Sequence, residues 1–313
     1  MFRPGISVFD CTIRDGGLIN NHFFKKDFVK KVFKAIAKSG IDYMEVGYKN
    51  SDKIFDRKEY GLWKFCDESD IRDVIEKTHL KISAMVDIGR VFPEDILPFK
   101  DSILDMIRVA TYVKDIDKAI GLANMINDKG YEATINIMAI SKALDPELGE
   151  ALEQIESETE VKAVYVVDSF GALYSEEVHY LVEKYQKHLK TKEVGIHAHN
   201  NMQLAYANTI EAVIKGANFL DATIFGIGRA AGNCPLELLL AFLKNPKFDV
   251  APILEVIQSE FLKLRNEIEW GYIIPYMITG MFNEHPRSAI AYRKTSDKDD
   301  YTSFYNQFNS VTE

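Results

Sequence analysis

Short runs of β-branched and other apolar residues alternate along the chain with longer segments in which apolar residues recur every three or four positions. This alternation is typical of parallel β-strands joined by helical crossovers. Strands are predicted at residues 6–12, 41–47, 81–87, 104–110, 133–139, 161–168, 194–199 and 219–225. Helical patterns lie between several of these runs, at residues 26–39, 116–129, 175–189 and 204–215.

Eight predicted strands within about 240 residues indicate an α/β protein with the (β/α)8 TIM-barrel fold. Three of the predicted helices end at a glycine, as left-handed C-caps favour: Gly40, Gly130 and Gly216. An open, doubly wound sheet is the alternative, because the hydrophobic pattern does not encode the order of the strands. The first strand is not followed by the glycine fingerprint of a dinucleotide-binding unit, which favours the barrel.

The alternation stops near residue 245, which predicts two segments. Residues 1–245 would form a TIM-barrel catalytic domain, with an irregular charged insertion at 48–69. Residues 246–313 would form a C-terminal helical extension, with helical patterns at 252–266 and 270–282. Because so short a segment buries little core by itself, we expect the extension to pack on the barrel.

Composition and charge exclude several classes of protein. The chain has 313 residues, with 38 Lys and Arg against 47 Asp and Glu, and the resulting charge of −9 argues against nucleic-acid binding. No apolar run approaches the roughly 18 residues of a membrane span, and residues 1–10 lack the apolar stretch of a signal peptide. The cysteines, Cys11, Cys66 and Cys234, are too scattered for a disulfide framework or a Cys-type zinc site. We expect a cytoplasmic enzyme.

Active sites of TIM barrels lie at the C-terminal ends of the strands, and this chain has chemically active residues at those positions. His197 and His199 are two positions apart on the predicted seventh strand, so both side chains point to the same face. With Asp15, after the first strand, they would form an Asp/His/His set that suits a catalytic divalent metal with open positions for substrate. The alternative is a chance histidine pair on a polar loop.

Further candidates lie at the ends of other strands. Arg14, beside the predicted aspartate ligand, could stabilise an oxyanion or form a structural ion pair with Asp10 or Glu45. The glycine-rich loop at 226–233 could cradle a phosphate, bring Asn233 toward the metal, or form only a tight turn.

The remaining histidines differ in their distance from the predicted barrel mouth. His22 follows the first strand closely enough to be a candidate for proton transfer. The others, including His285 in the extension, are expected to be surface or packing residues.

Three signatures together resemble the DRE-TIM metallolyase, or HMGL-like, superfamily of metal-dependent aldolases and lyases. They are Asp10-Cys-Thr-Ile-Arg-Asp-Gly16, His197-Ala-His199-Asn200 and the loop 226–233, in the order of the superfamily and within residues 6–240. The superfamily includes 4-hydroxy-2-oxovalerate aldolase, 3-hydroxy-3-methylglutaryl-CoA lyase, and the isopropylmalate and homocitrate synthases. The segments most similar to the bacterial 2-oxoacid aldolases are 108–111, 167–171 and 232–237.

The resemblance implies a role for each matching residue. The residues that would reach the metal are Asp15, His197, His199 and Asn233. Arg14 would steady an enolate oxygen, and Glu45 would hold Arg14 in place. Ser169 lies where members of the superfamily contact the carboxylate of the substrate.

The chain departs from the aldolase pattern at the general base. The aldolases have a histidine three positions after the ligand aspartate, where this chain has Leu18. His22, a tyrosine of the extension such as Tyr272 or Tyr276, or metal-bound water would have to replace it.

Two departures separate the chain from other branches of the superfamily. The lyase branch has a cysteine before the loop asparagine, whereas Cys234 follows it here. The biotin-dependent carboxyltransferases need a metal-binding lysine late in a barrel strand. Here the sixth strand ends in Asp168, and Lys162 lies at its other end.

The resemblance therefore implies a divalent-metal-dependent aldolase or lyase that cleaves or forms a carbon–carbon bond next to a 2-oxo acid through a metal-bound, pyruvate-like enolate. Mn²⁺ is the expected ion, with Mg²⁺, Co²⁺ and Zn²⁺ as alternatives. A Claisen-type synthase acting on an acyl-CoA and a 2-oxo acid is one other hypothesis, and a catalytically inactive barrel that serves as a binding subunit is another. A sugar-isomerase-type barrel would need more inward carboxylates than Asp87 and Asp168.

The predicted partners are few. We expect a small-molecule 2-oxo acid substrate, no nucleic acid and no membrane. A homodimer is the default for such barrels. Some related aldolases bind a dehydrogenase that consumes their aldehyde, but no docking signature for one is readable in the extension.

Overall fold

Eight parallel strands close into a barrel in chain order in the computed structural model, which describes residues 3–309. The strands are β1 (Ser7–Asp10), β2 (Tyr43–Tyr48), β3 (Lys81–Asp87), β4 (Met106–Thr111), β5 (Glu132–Ile137), β6 (Ala163–Asp168), β7 (Glu193–Ala198) and β8 (Phe219–Ala222). Closure comes from the parallel pairing of β1 with β8, in which Ser7 is opposite Phe219. The prediction of a TIM barrel is confirmed, and the open sheet was the wrong alternative.

A helix follows each strand; α1 lies at the C-terminal end of β1, and the others cover the outside of the barrel. They are α1 (Thr12–Gly16), α2 (Lys26–Lys38), α3 (Glu68–Val74), α4 (Ile116–Asp128), α5 (Asp145–Glu158), α6 (Ser175–His188), α7 (Ala205–Lys215) and α8 (Leu236–Leu243). The three predicted capping glycines have left-handed φ values of 73°, 98° and 108° at Gly40, Gly130 and Gly216. These values are open to glycine without a steric penalty, so each helix ends where the sequence indicates.

The alternation of side chains along each strand separates two apolar layers. Phe9, Tyr43, Met106, Tyr165 and Phe219 are buried together inside the barrel. The opposite face of β7, with Val194, Ile196 and Ala198, belongs to the layer between the barrel and its helices. The side chains inside the barrel fill its interior toward the N-terminal ends of the strands. The space for a ligand therefore lies at the C-terminal ends of the strands.

The extension begins with a helical stretch made of α9 (Ala251–Val256), a π-helical turn (Ile257–Phe261) and α10 (Leu262–Leu264), and α9 packs on α2. Three further helices follow, α11 (Ile274–Met281), α12 (Arg287–Tyr292) and α13 (Tyr301–Asn309). Their apolar side chains pack with Ala230 and Ala231 of the loop after β8. The extension therefore reaches the C-terminal rim of the barrel. Positions 1–2 and 310–313 of the two predicted segments lie outside the described residues.

Among residues 3–309, no helix combines the length and the apolar character needed to cross a membrane.

Candidate active site

A cavity opens at the C-terminal ends of the strands, as the barrel rule predicts. The cavity and its mouth contain about 540 Å³ of space free of protein atoms. Its polar lining includes Arg14, Asp15, Ser169, His197 and His199. Five of the predicted site residues, contributed by segments far apart in the sequence, are thus brought to one cavity.

Asp15, His197 and His199 form the centre of this cavity. One ligand atom from each lies within 4.8 Å of the other two, and all three residues are buried. His199 Nε2 is 3.5 Å from Asp15 Oδ2. Burial alone would raise the pKa of Asp15, but nearby positive charge, above all that of the Arg14 guanidinium, outweighs burial and holds the pKa below its usual range. Asp15 is therefore a carboxylate facing two imidazoles.

The hydrogen bond made by Nδ1 of each imidazole determines which ring nitrogen is protonated and which keeps its lone pair. His197 Nδ1 is 2.9 Å from Asp221 Oδ2, and His199 Nδ1 is 3.1 Å from the carbonyl oxygen of Asp168. Because a carboxylate and a carbonyl only accept, Nδ1 carries the proton in both rings. Both Nε2 atoms are buried and lack a hydrogen-bond partner among the described residues. Two unpartnered lone pairs beside a carboxylate form a donor set that fits a divalent ion, which makes Asp15, His197 and His199 candidate ligands.

A second group of three candidate ligands lies deeper in the barrel. Cys11, His197 and Asp221 also approach one another closely. Burial raises the pKa of the Cys11 thiol, so this sulfur stays protonated and is a poor ligand. The set around Asp15 fits a metal better.

Buried ion pairs hold the metal-facing residues in place. Arg14 donates from Nε to Glu45 Oε2 over 2.7 Å and from Nη1 to Asp15 Oδ1 over 3.0 Å. Arg108 joins Glu45 to Asp221, with distances of 3.2 Å and 2.8 Å. The predicted contact between Arg14 and Glu45 is present, and the network extends from it to the histidine on β7. Arg14 Nη2 is buried and has no hydrogen-bond partner within residues 3–309, so one donor remains for a ligand.

Asn233 lies beside Asp15 at the end of the glycine-rich loop. Its Nδ2 donates to Asp15 Oδ2, and its buried Oδ1 has no partner in the described part of the chain. A Cβ on Gly228 would lie 2.3 Å from Asn233 Nδ2 and 2.7 Å from Asp15 Oδ2. This glycine is therefore required for the close approach of the loop to the site, which is a physical reason for the glycine pattern.

Ser169 follows β6 and lines the same cavity. Its Oγ accepts the backbone N–H of Ala139 at 2.8 Å. The hydroxyl proton therefore remains available to donate to a ligand.

The two other predicted catalytic residues do not reach the cavity. His22 is buried behind Tyr48, with the ring centroids 5.5 Å apart, and does not line the space. Burial lowers its pKa to about 3. Tyr272 is 59% exposed and belongs to a surface depression of the extension. Tyr276 lines a second, outer pocket next to the cavity. Leu18, at the position where the aldolases have their histidine, does line the cavity.

Four residues in or next to the cavity were not identified as site residues from the sequence: Arg108, Asp221, Arg229 and His285. Arg108 and Asp221 each lie two residues after an inward-facing residue of the same strand, Met106 and Phe219 respectively. The two-residue period of a strand could therefore have placed both side chains inside the barrel. His285, expected to be a surface or packing residue, packs on Phe170 and also lines the cavity, although it belongs to the extension. It reaches the barrel mouth through the packing of the extension, which no local pattern encodes.

The acidic and basic residues weighed for other families have structural partners. Asp168 accepts the backbone N–H groups of Ala172 and Leu173 at 3.1 Å and 3.2 Å. Asp87 pairs with Arg90 at 2.9 Å. Lys162 pairs with Glu132 at the opposite end of the barrel from the cavity.

Comparison with known proteins agrees with this geometry. The HMGL-like family matches residues 5–259. The 4-hydroxy-2-oxovalerate aldolase of Thermus thermophilus is 29% identical over 258 residues, covering 80% of this chain and 73% of that protein. The oxaloacetate decarboxylase of Mycobacterium tuberculosis is 29% identical over 296 residues, covering 90% of this chain and 85% of that protein.

A solved structure extends the similarity to three dimensions. The N-terminal domain of an aldolase candidate from Bacteroides vulgatus superposes with a TM-score of 0.83 and 31% identity. The match covers 95% of this chain and 100% of that chain. The barrel, the cavity and these relatives together show that the chain belongs to the HMGL-like family of carbon–carbon lyases.

Proposed function

We propose that the protein is a divalent-metal-dependent aldolase that cleaves or forms the C3–C4 bond of a 4-hydroxy-2-oxo acid by way of a pyruvate-like enolate. The observation that carries this proposal is the convergence of Asp15 with two unpartnered imidazole nitrogens, those of His197 and His199, on a cavity at the barrel mouth.

Asp15, His197 and His199 would hold the ion, and Asn233 has an unpartnered amide oxygen that can add to the set. When bound, the ion supplies a Lewis acid that draws electron density from the ketone of the substrate. We propose Mn²⁺, and the mixed oxygen and nitrogen donors also accept Mg²⁺, Co²⁺ or Zn²⁺.

Arg14 is the residue that would steady the enolate oxygen. Its Nη2 donor is buried and free of protein partners among the described residues, and Glu45 fixes the guanidinium through Nε. A preorganised donor in a water-poor site stabilises charge that develops during the reaction more than the same donor does in water. Glu45 is thus a positioning residue.

The rest of the cavity would bind and orient the substrate. The Ser169 hydroxyl would donate to the carboxylate of the 2-oxo acid. Leu18, Met85 and Met138 form an apolar wall that excludes water from the reacting carbons. In the cleavage direction a base takes the 4-hydroxyl proton, the C3–C4 electron pair stays on C3, and C4 leaves as an aldehyde. We do not assign that base to His22 or Tyr272, because neither lines the cavity.

Decarboxylation of a 3-carboxy-2-oxo acid is a second candidate. Loss of carbon dioxide from such an acid leaves the same pyruvate enolate, so Arg14 and Ser169 would serve both reactions unchanged. This candidate is supported by the similarity to the oxaloacetate decarboxylase of Mycobacterium tuberculosis. Release of carbon dioxide from oxaloacetate, compared with the buffer rate, would distinguish it from aldol cleavage.

The central test is exchange of the methyl protons of pyruvate in deuterium oxide, read by mass spectrometry. Exchange needs the enolate and no second substrate. We expect exchange with a divalent ion, most of all with Mn²⁺, and its loss after chelation. His197→Ala should reduce exchange and the bound metal, counted by elemental analysis, to background. His179→Ala, which changes a histidine paired with glutamates on the surface of α6, is the matched control.

Two results would contradict the proposal. One is exchange that persists in metal-free protein or in His197→Ala. The other is release of free thiol from acetyl-CoA with a 2-oxo acid but no exchange of pyruvate, which would favour the Claisen-type synthase.

A further inference from the structure

Arg229 differs from Arg14 and Arg108 because no carboxylate among the described residues forms an ion pair with it. Its Nη1 is 3.0 Å from His285 Nε2, and its Nη2 donates to the backbone oxygen of Ser169 at 2.6 Å. Its Nε is buried without a hydrogen-bond partner, and no carboxylate within residues 3–309 forms an ion pair with it. Arg14 and Arg108, in contrast, each bind two carboxylates. Asp15 is close enough to interact with Arg229 electrostatically but does not pair with it directly, so a ligand that supplies an anionic partner would stabilise this partly buried guanidinium.

His285 adds a ring nitrogen at the same place that can donate to a ligand in one of its two tautomers. Its Nδ1 is 3.0 Å from the backbone nitrogen of Arg287, and its Nε2 faces Arg229 Nη1. Both neighbours are donors, but a neutral imidazole has one acceptor nitrogen. Burial lowers the pKa of His285 to about 4, so the ring is neutral. In the tautomer in which Nδ1 accepts from the backbone, Nε2 carries the proton and the N–H groups of His285 and Arg229 converge without an acceptor, whereas in the other tautomer Nε2 accepts from Arg229.

Arg229 and His285 lie where the cavity adjoins a second, outer pocket. Both line the cavity, and Arg229 also lines the adjoining outer pocket beneath the extension, together with Leu18. The metal-binding set is formed by Asp15 and the two histidines of the β7 end. Arg229 reaches from Ser169 to the outer pocket, so a substrate whose 2-oxo acid part is held at the metal-binding set and the Ser169 hydroxyl can place a group on its other part against the guanidinium.

The charges around the cavity favour a doubly anionic ligand. The three carboxylates of the buried network, Asp15, Glu45 and Asp221, equal in number the arginines Arg14, Arg108 and Arg229, so a bound divalent ion would add two positive charges to this group. The carboxylate of a 2-oxo acid offsets one of them. A second anionic group on the same substrate offsets the other.

We propose that Arg229 and His285 bind a carboxylate on the aldehyde part of the substrate, so that the preferred substrate is a 4-hydroxy-2-oxo diacid. The inference rests on the proposed aldolase function and adds the substrate class. In cleavage the C3–C4 bond breaks, its electron pair stays on C3 and is then protonated to give pyruvate, and the 4-hydroxyl loses its proton to a base. The aldehyde leaves as an oxo acid, whose carboxylate is unchanged.

The test is aldol addition of pyruvate to aldehydes that are matched in length but differ in charge. Glyoxylate is compared with acetaldehyde, and 4-oxobutanoate with butanal, by kcat/KM. We expect the wild type to prefer at least one acidic aldehyde over its neutral match by about 10-fold or more. Arg229→Gln should lower kcat/KM for that acidic aldehyde by about 10- to 100-fold, as for loss of a charged hydrogen bond, and change the neutral one much less. Arg229→Lys keeps the charge and should recover part of the loss.

Control variants separate recognition from a structural role. His285→Ala should shift the acid-to-neutral ratio in the same direction as Arg229→Gln. Arg90→Gln changes a rim arginine that has its own carboxylate partner, Asp87, and should leave the ratio unchanged. The proposal is overturned if the wild type prefers the neutral aldehydes, or if Arg229→Gln slows both members of a pair equally. Wild-type exchange of pyruvate protons without an acid preference would sink this inference alone, whereas absence of exchange with every metal would sink the proposed function.

Discussion

Buried carboxylates in this barrel are compensated in two ways. Asp15 and Asp221 are held ionised by arginines, but Asp10 and Asp168 are compensated mainly by hydrogen bonds. Asp10 is fully buried and accepts the Thr12 hydroxyl and, at 3.3 Å, the Thr12 backbone N–H. Burial raises the pKa of Asp10 to about 7 and that of Asp168 to about 6, because these bonds do not replace the lost hydration.

This difference predicts a pH-dependent effect of Asp10→Asn. Since the folded-state pKa of Asp10 is above that of the unfolded chain, its contribution to stability is complete below about pH 4 and is lost as pH rises through 7. Asparagine carries no such charge. The free energy of unfolding of the variant, relative to wild type, should therefore increase by about 2–4 kcal/mol between pH 4 and pH 8. Urea unfolding at both pH values measures it, and a constant difference would contradict the assignment.

The turn after β1 shows how one short segment positions residues at the rim of the cavity. The chain passes from α1 through a short 3₁₀ segment, Gly17–Ile19, and reaches His22 in the left-handed conformation with φ of 64°. A Cβ on Gly17 would lie 2.2 Å from His22 Nδ1. The glycine thus lets the imidazole pack beneath the turn, and the turn presents Leu18 to the cavity.

Gly17→Ala should destabilise the protein by about 1–3 kcal/mol, because the new methyl group forces the ring or the turn to move. The matched control is Gly121→Ala in α4, where no heavy atom lies within 4 Å of the added carbon. That control should be neutral or stabilising by up to about 1 kcal/mol, as alanine favours helix. Chemical denaturation of both variants measures the effects, and His22→Ala in the Gly17→Ala background should restore part of the loss. Equal stability of the two single variants would rule out the steric account.

At the scale of the whole molecule, the extension closes one side of the active-site mouth. Asn201, after β7, donates from Nδ2 to the backbone oxygen of Tyr276 at 3.1 Å. Across the mouth, Ser141 and Asn283 share two hydrogen bonds, of 2.6 Å and 3.2 Å. These contacts bring His285 to the cavity, so the extension is part of the site and not only a cover for the barrel.

Asn283→Ala tests this coupling. The change removes both bonds to Ser141 and places alanine at a left-handed φ of 53°, which asparagine adopts more readily. We expect a local loss of about 1–2 kcal/mol, visible as faster amide exchange at residues 273–292 while the barrel strands keep their protection. Glu284→Ala is the control, because it removes only an exposed ion pair with Lys142. It should change the local opening free energy obtained from amide exchange by less than about 0.5 kcal/mol. Uniform loss of protection across the barrel would show that the extension is not a separate local unit.

The barrel and the centre of the site were predictable because both depend on local periods. Strand and helix spacing, with the capping glycines, indicated the eightfold alternation. The spacing of His197 and His199 on one strand, together with Asp15 at another strand end, indicated a shared cavity. Arg108 and Asp221 follow the same two-residue period and were accessible to the same reasoning.

The sequence by itself therefore determined the barrel and the convergence of Asp15, His197 and His199, because strand parity and the common direction of parallel strands act over a few residues. Only the tertiary structure decided that His285 rather than Tyr272 reaches the cavity. It also decided that His22 is buried behind Tyr48, and that Arg229 forms no ion pair with a carboxylate of the described residues. These outcomes depend on how a loop and a helical extension pack against the rim. That packing joins side chains as distant as positions 229 and 285, and no period along the chain records it.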